Sequence, residues 1–119
     1  MNWIAVFIGG GIGSVLRFGM SRVFLQMDLA LLPIATLASN ILSTLMLGWF
    51  ILKIDVRPDS WWFYLLTIGF CGGFSTFSTF SMETFQLIRN DQWWWAAMNV
   101  FTSLLLCLAV LAAISKIYR

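Results

Sequence analysis

The sequence predicts an all-α integral membrane protein with four transmembrane helices, the third of them broken. Three observations carry this prediction. The chain of 119 residues is 61% hydrophobic and only 10% charged, against about 25% charged residues in soluble domains. Its charges cluster between long apolar runs, each near the length of about 20 residues that crosses a hydrocarbon core. A cluster of glycines then interrupts one of those runs, where a continuous helix would disfavour them.

The first span is read over residues 2–25. It is apolar up to Leu16 and carries Arg17 inside it, with Arg22 near its end. It has no basic leader and no small-residue cleavage site before Arg17, so it is read as a mature helix rather than a signal peptide. Gly9, Gly13 and Arg17 recur every four residues and share a face, which lets another backbone approach closely. Arg17 projects from the same stripe, either toward a polar interior or snorkelling to an interface. The run Gly9-Gly10-Gly11-Ile12-Gly13 follows no strand and is not a phosphate loop.

The second span is read over residues 29–52, uncharged throughout. Thr36, Asn40 and Thr44 recur at helical spacing, with Ser43 beside them and Gly48 a turn further. A single intramembrane Asn often serves as interhelical glue, but a whole stripe of hydrogen-bonding groups points to a polar path.

The third span is read over residues 60–89. Its centre reads Gly69-Phe70-Cys71-Gly72-Gly73, three glycines in five residues, and predicts the helix break there. Unwound backbone at membrane depth survives only in a protein interior or water-lined site, where its free carbonyls could hold a cation. Five hydroxyl side chains follow within residues 75–81. Phe77 and Phe80 lie three apart on one face, with Glu83 a turn beyond and placed near a helix end. Phenylalanines at this spacing usually pack a core or face lipid; here hydroxyls surround both rings.

The fourth span is read over residues 93–117, with Asn99, Ser103 and Cys107 on one stripe and Thr102 adjacent. Any one hydroxyl there commonly bonds back to its own helix. Trp61, Trp62, Trp93, Trp94 and Trp95 stand at the starts of the last two spans, as interfacial anchors do. The linkers are short: Gln26-Met27-Asp28, residues 53–59 and residues 89–92. Successive helices are therefore expected to be antiparallel neighbours in a single domain, 1–119.

The net charge of +2 is too small to point to a nucleic-acid partner. Lys53, Arg57, Lys116 and Arg119 fall on one side of the bilayer, Arg22 and Arg89 on the other. This positive-inside bias is weak, so the chain could insert in both orientations. There is no histidine, and Cys71 and Cys107 have no metal-ligand spacing, so both read as small packing residues. No nucleophile–base pair is present, which argues against an enzyme.

The chain resembles the Fluc family, also called CrcB, the small bacterial fluoride channels. The resemblance covers essentially the whole chain. It rests on the glycine-rich start leading to Arg17, on Thr36 with Asn40 and Gly48, on Gly72-Gly73-Phe74-Ser75-Thr76-Phe77-Ser78-Thr79-Phe80, and on Glu83. Ser75 stands where the family usually has threonine, and Ser43 where it often has glycine. Some members have tyrosine at the position of Asn99 and serine at that of Cys107.

The resemblance implies a fluoride-selective channel for passive export, multi-pass in a bacterial inner membrane. It implies a dual-topology homodimer of two antiparallel chains. Its fluoride pores would be lined by Thr36, Asn40, Phe77, Thr79, Phe80, Glu83 and Ser103, with Arg17 in a vestibule. A structural sodium ion would sit between the chains on backbone carbonyls of Gly72 and Ser75. Phenyl edges are electropositive, and Asn40 and Thr79 supply donors, in keeping with an anion. The competing reading is a four-helix, dual-topology, proton-coupled exporter. That would need an intramembrane carboxylate, and the first helix has none.

Overall fold

The computed structural model describes residues 1–27 and 33–118. Residues 29–32 of the expected second span, Asp28 of the first linker and Arg119 lie outside the described residues.

Four helical stretches are long and apolar enough to cross a membrane. Helix α1 is Asn2–Gln26 and α2 is Ile34–Leu52. Helix α3 is a continuous stretch made of Trp61–Phe63, a wider π-helical segment Tyr64–Cys71, and Gly72–Phe74. Helix α4, Phe77–Arg89, completes the third crossing, and α5 is Trp93–Ile117. At 1.5 Å rise per residue, a helix of 25 residues reaches about 37 Å and exceeds the hydrocarbon core of about 30 Å.

The local sequence explains where these helices start. Ser60 caps α3: its hydroxyl oxygen accepts the Phe63 N–H at 3.1 Å. Thr76 caps α4, its Oγ1 accepting the Thr79 N–H at 3.3 Å. Between α4 and α5 the chain turns through Asp91, at φ 58°, a left-handed conformation that Asp tolerates better than most residues. There the Gln92 N–H reaches the Leu87 carbonyl at 2.8 Å.

The third crossing is broken, but not at its glycines. Gly72 and Gly73 are helical, and the backbone becomes extended only at Ser75 (φ −83°, ψ 158°) and Thr76 (φ −153°, ψ 123°). The glycines serve a different purpose, which is close approach. A Cβ on Gly9 would strike the Leu65 carbonyl oxygen and lie 2.8 Å from the Phe70 nitrogen. One on Gly13 would strike the Phe70 carbonyl oxygen and lie 2.7 Å from the Phe74 nitrogen. On the opposite side, one on Gly73 would strike the Gly10 carbonyl oxygen, and one on Gly69 would lie 3.0 Å from the Gly9 Cα. Helices α1 and α3 thus pack backbone to backbone along a reciprocal glycine seam, the arrangement that dispersion favours where lipid removes the hydrophobic drive.

The remaining helices close around this pair. Helix α2 packs on α5 and reaches α1 and α3, and α4 packs on α5. The interior mixes apolar residues such as Phe50, Phe74, Leu87 and Ile114 with polar ones: Thr36, Ser39, Ser43, Thr67, Asn99 and Ser103 are all buried. Large apolar side chains such as Phe7, Val15, Phe18 and Leu105 point outward. A soluble domain would reverse this distribution; here the outer surface meets hydrocarbon.

The seam makes a testable distinction among the glycines of one helix. Gly13→Ala is expected to force α1 and α3 apart and to cost about 1–3 kcal/mol, as overpacking does. Gly19, beside which a Cβ would meet nothing within 4 Å, should accept alanine without loss or gain about 0.5–1 kcal/mol. Equilibrium unfolding in mixed micelles measures both.

Candidate functional site

The break between α3 and α4 frees backbone groups that a continuous helix would pair. Two of them, the Thr76 N–H and the Gly73 carbonyl, are met by side chains from other helices. The Thr76 N–H, which would otherwise bond the Gly72 carbonyl, donates to Asn40 Oδ1 at 2.9 Å. Asn40 sits on α2, so this one bond ties the break to the second crossing. Gly73 loses its helical donor because Phe77 opens α4; its carbonyl accepts from Arg17 Nε at 3.2 Å. The Cys71 carbonyl accepts from the Ser43 hydroxyl at 2.8 Å, the Ser75 hydroxyl at 2.9 Å and the Ser75 N–H at 3.0 Å.

The Asn40 bond has a consequence for the amide group. An N–H can only donate, so the oxygen of Asn40 faces Thr76 and both amide hydrogens are left for another acceptor. Asn40 lines a groove of about 300 Å³ together with Thr44, Ser75, Thr76, Phe77, Phe80, Ser103 and Cys107. The Ser103 hydroxyl is buried and makes no hydrogen bond among the described residues. The rings of Phe77 and Phe80 lie 5.8 Å apart, tilted by 36°. Phe77 is 79% exposed, so it stands out of the single chain rather than packing its core. No carboxylate lines the groove.

Glu83 lies mid-helix in α4, which corrects its placement near a helix end. Its Oε1 accepts the Thr36 hydroxyl at 2.7 Å, while Oε2 is buried without a partner among the described residues. Asn99 donates to Thr84 Oγ1 at 2.8 Å, and Thr84 in turn donates to the Phe80 carbonyl at 2.8 Å. This relay fixes α4 to α5 at the level of Phe80.

The expected site residues therefore fall into three groups, with Thr79 outside them. Asn40, Phe77, Phe80 and Ser103 meet at the groove. Thr36 and Glu83 form a separate pair beyond it. Arg17, Gly72 and Ser75 gather at the break, with Arg17 bonded to backbone there. Thr79 stands behind Thr76, whose hydroxyl donates to Thr79 Oγ1 at 3.2 Å. Thr44, from the polar stripe of α2, only bonds back to the Asn40 carbonyl at 2.7 Å.

Two functional positions escaped the sequence reading. Thr76 carries the cap and the link to Asn40. Thr is a favoured N-cap residue, but Ser75 and Ser78 beside it are equally favoured, so the local sequence alone does not single out Thr76. Thr84 bridges Asn99 to Phe80, and no spacing rule along the sequence foretells a contact between two helices.

A backbone carbonyl oxygen without its helical donor is the kind of ligand a hard cation takes. The Gly72 carbonyl loses its helical donor, and a Cβ added at Gly72 would meet nothing within 4 Å. Neutral carbonyl oxygens at an unwound segment are known cation ligands in membrane proteins. No group of His, Cys, Asp or Glu able to hold a metal occurs among the described residues.

Comparison with known proteins accords with this architecture. The family model described as "CrcB-like protein, Camphor Resistance (CrcB)" matches residues 4–114. The chain is 43% identical over 106 residues to proteins named "Fluoride-specific ion channel FluC" from Escherichia coli O139:H28 (strain E24377A / ETEC) and O9:H4 (strain HS). The alignment covers 86% of this chain and 81% of each relative. The chain belongs to the CrcB family.

Proposed function

We propose that this protein is a fluoride-selective channel of a bacterial inner membrane, through which fluoride leaves the cell passively. The observation that carries the reading is the groove, with its free Asn40 amide hydrogens, unpaired Ser103 hydroxyl and two phenyl rings, and with no carboxylate in its lining. An anion shedding water needs donors that replace it, and among the described residues nothing claims the Asn40 amide hydrogens or the Ser103 hydroxyl. Phenyl edges add positive potential without offering a base. The choice of fluoride comes from the relatives' name. Glu83 alone would suit a proton-coupled exporter, but the family does not.

The working unit in this proposal is a homodimer of antiparallel chains. The groove lies open on the surface of one chain, and Phe77 is exposed there. Polar groups facing lipid are costly, so a second copy is the natural cover. The weak charge bias between the two sides permits insertion both ways. At the dimer centre, the Gly72 and Ser75 carbonyls of both chains would hold a sodium ion, which supplies a fixed positive charge at the break. Thr36 and Glu83 would lie further along the fluoride path, with Thr79 beside Phe80.

Three measurements test this proposal. Phe77→Ile and Phe80→Ile should each cost under about 1.5 kcal/mol if volume is the only change. Fluoride efflux from liposomes is nevertheless expected to collapse in both, with Phe80→Ile at least as damaged. Wild-type rates would assign the rings to packing alone.

Asn40→Asp keeps the oxygen that accepts the Thr76 N–H, so the fold should survive. It replaces the amide donors with a negative charge, and flux should fall well below that of Asn40→Ser. The serine variant instead loses the acceptor of the Thr76 N–H, and leaving that N–H unpaired costs about 1–3 kcal/mol. Equal flux in wild type and Asn40→Asp would remove Asn40 from the path.

Single cysteines placed at either terminus, in a background lacking Cys71 and Cys107, should be labelled from both sides of the membrane. Strictly one-sided labelling would exclude the antiparallel dimer.

A further inference from the structure

We infer that Thr84 and Asn99 are positioning residues for the anion path: the hydrogen bond between them sets the rotation of α4 and so holds the Phe80 ring in the groove, level with Ser103. The inference rests on the channel reading above and deepens it. Phe80 and Ser103 line the groove, whereas Thr84 and Asn99 do not, so this pair acts through Phe80.

Helix α4 carries both phenyl rings of the groove, yet little apolar packing holds it within one chain. Leu87 is its only buried side chain among the described residues, and Phe77, Met82 and Phe85 are all exposed. A helix anchored by one apolar side chain turns about its axis unless directional contacts stop it. Two such contacts come from different helices. Thr36 on α2 donates to Glu83 at 2.7 Å, and Asn99 on α5 donates to Thr84 Oγ1 at 2.8 Å. Glu83 and Thr84 are adjacent, so their side chains leave α4 about 100° apart. A rotation that preserved one bond would break the other. Phe80 stands one turn before both, on the face they share. Its ring follows the backbone, because χ1 of a helical aromatic residue is confined to two wells. Turning α4 therefore turns the ring.

The direction of the donors is also fixed. Thr84 has one hydroxyl hydrogen, and it goes to the Phe80 carbonyl at 2.8 Å. Its oxygen can then only accept, so Asn99 presents its amide nitrogen. The level of Phe80 follows from the antiparallel run of α4 and α5, which a short turn joins at Asp91. Phe80 lies one turn back from Thr84 along α4, and Ser103 lies one turn on from Asn99 along α5. In an antiparallel pair these steps go the same way. Joining Thr84 to Asn99 thus brings Phe80 level with the unpaired Ser103 hydroxyl.

Fluoride efflux from liposomes, paired with fluorine NMR of the purified full-length protein, tests this. The NMR label is para-fluorophenylalanine in place of Phe80 or, as a control, of the outward-facing Phe7. Thr84→Val keeps the side-chain shape and removes the hydroxyl, Asn99→Leu removes the donor amide, and Thr84→Ser keeps the hydroxyl. Thr84→Val and Asn99→Leu are each expected to lower flux by about fivefold or more. Both should shift or split the resonance at position 80 and leave that at position 7 unchanged. Thr84→Ser should keep flux within about twofold of wild type and the resonance at position 80 in place. The double variant Thr84→Val/Asn99→Leu should conduct no worse than the poorer single variant, since both cut one link; losses that multiply overturn the inference. A bond that served stability alone would lower the unfolding temperature and nothing else. Wild-type flux or an unmoved resonance at position 80 in Thr84→Val therefore overturns the positioning role, as does a Thr84→Ser as impaired as Thr84→Val. Should Thr84→Val fail to fold, Asn99→Leu decides by the same two readings. A wild-type protein that passes no fluoride would overturn the channel reading instead, and the resonance at position 80 would still decide whether the pair positions the ring.

Discussion

Backbone polar groups left unpaired inside a membrane are expensive, and the interruption at Ser75–Thr76 concentrates that cost at one point of this chain. Every notable side chain at the centre answers it. Asn40 reaches across from α2 to take the Thr76 N–H, Arg17 reaches from α1 to the Gly73 carbonyl, and Ser43 reaches from α2 to the Cys71 carbonyl. Two crossings are thus held in register with the third, at the point where it does not continue as a helix. In water, solvent could do the same work, and the break would fix nothing.

The same need prepares the groove. Because the oxygen of Asn40 is committed to the break, its amide hydrogens are presented to whatever occupies the groove. The bond that satisfies the break thereby also fixes which way the Asn40 amide is turned. The Ser103 hydroxyl, buried without a partner, contributes a second donor from α5. The Asn99–Thr84–Phe80 relay ties the helix carrying both phenyl rings to that same α5. Structural bonds and candidate ligand donors are therefore parts of one network.

Glycine has two meanings in this chain, and they are easily confused. A cluster of glycines in an apolar run signals either a weak helix or a close contact, and both signals have the same composition. Gly69, Gly72 and Gly73 read locally as the site of the break. The tertiary structure assigns Gly69 and Gly73 to the seam with Gly9, Gly10 and Gly13, while the helix continues to Phe74. The break falls two residues later, where the hydroxyl of Thr76 can cap a new helix. The π-helical winding of Tyr64–Cys71 carries no comparable local mark.

What the sequence by itself determined is what depends on near neighbours along the chain and on transfer from water to lipid. Apolar run lengths set the four crossings, since each must pair its own backbone across the bilayer. Helical spacing set which polar residues share a face: Gly9 with Gly13 and Arg17, and Phe77 with Phe80. The motif around Phe77 and Phe80 is specific enough to identify the family. What only the tertiary structure decided is which partner each polar group takes. Asn40 meets Thr76, Thr36 meets Glu83 in mid-helix, Arg17 meets a carbonyl, and Thr44 turns back on its own helix. The physical reason is that a hydrogen bond between helices depends on their relative rotation and depth. Here the glycine seam sets those between α1 and α3, and a seam is a contact between surfaces rather than a property of either sequence segment alone.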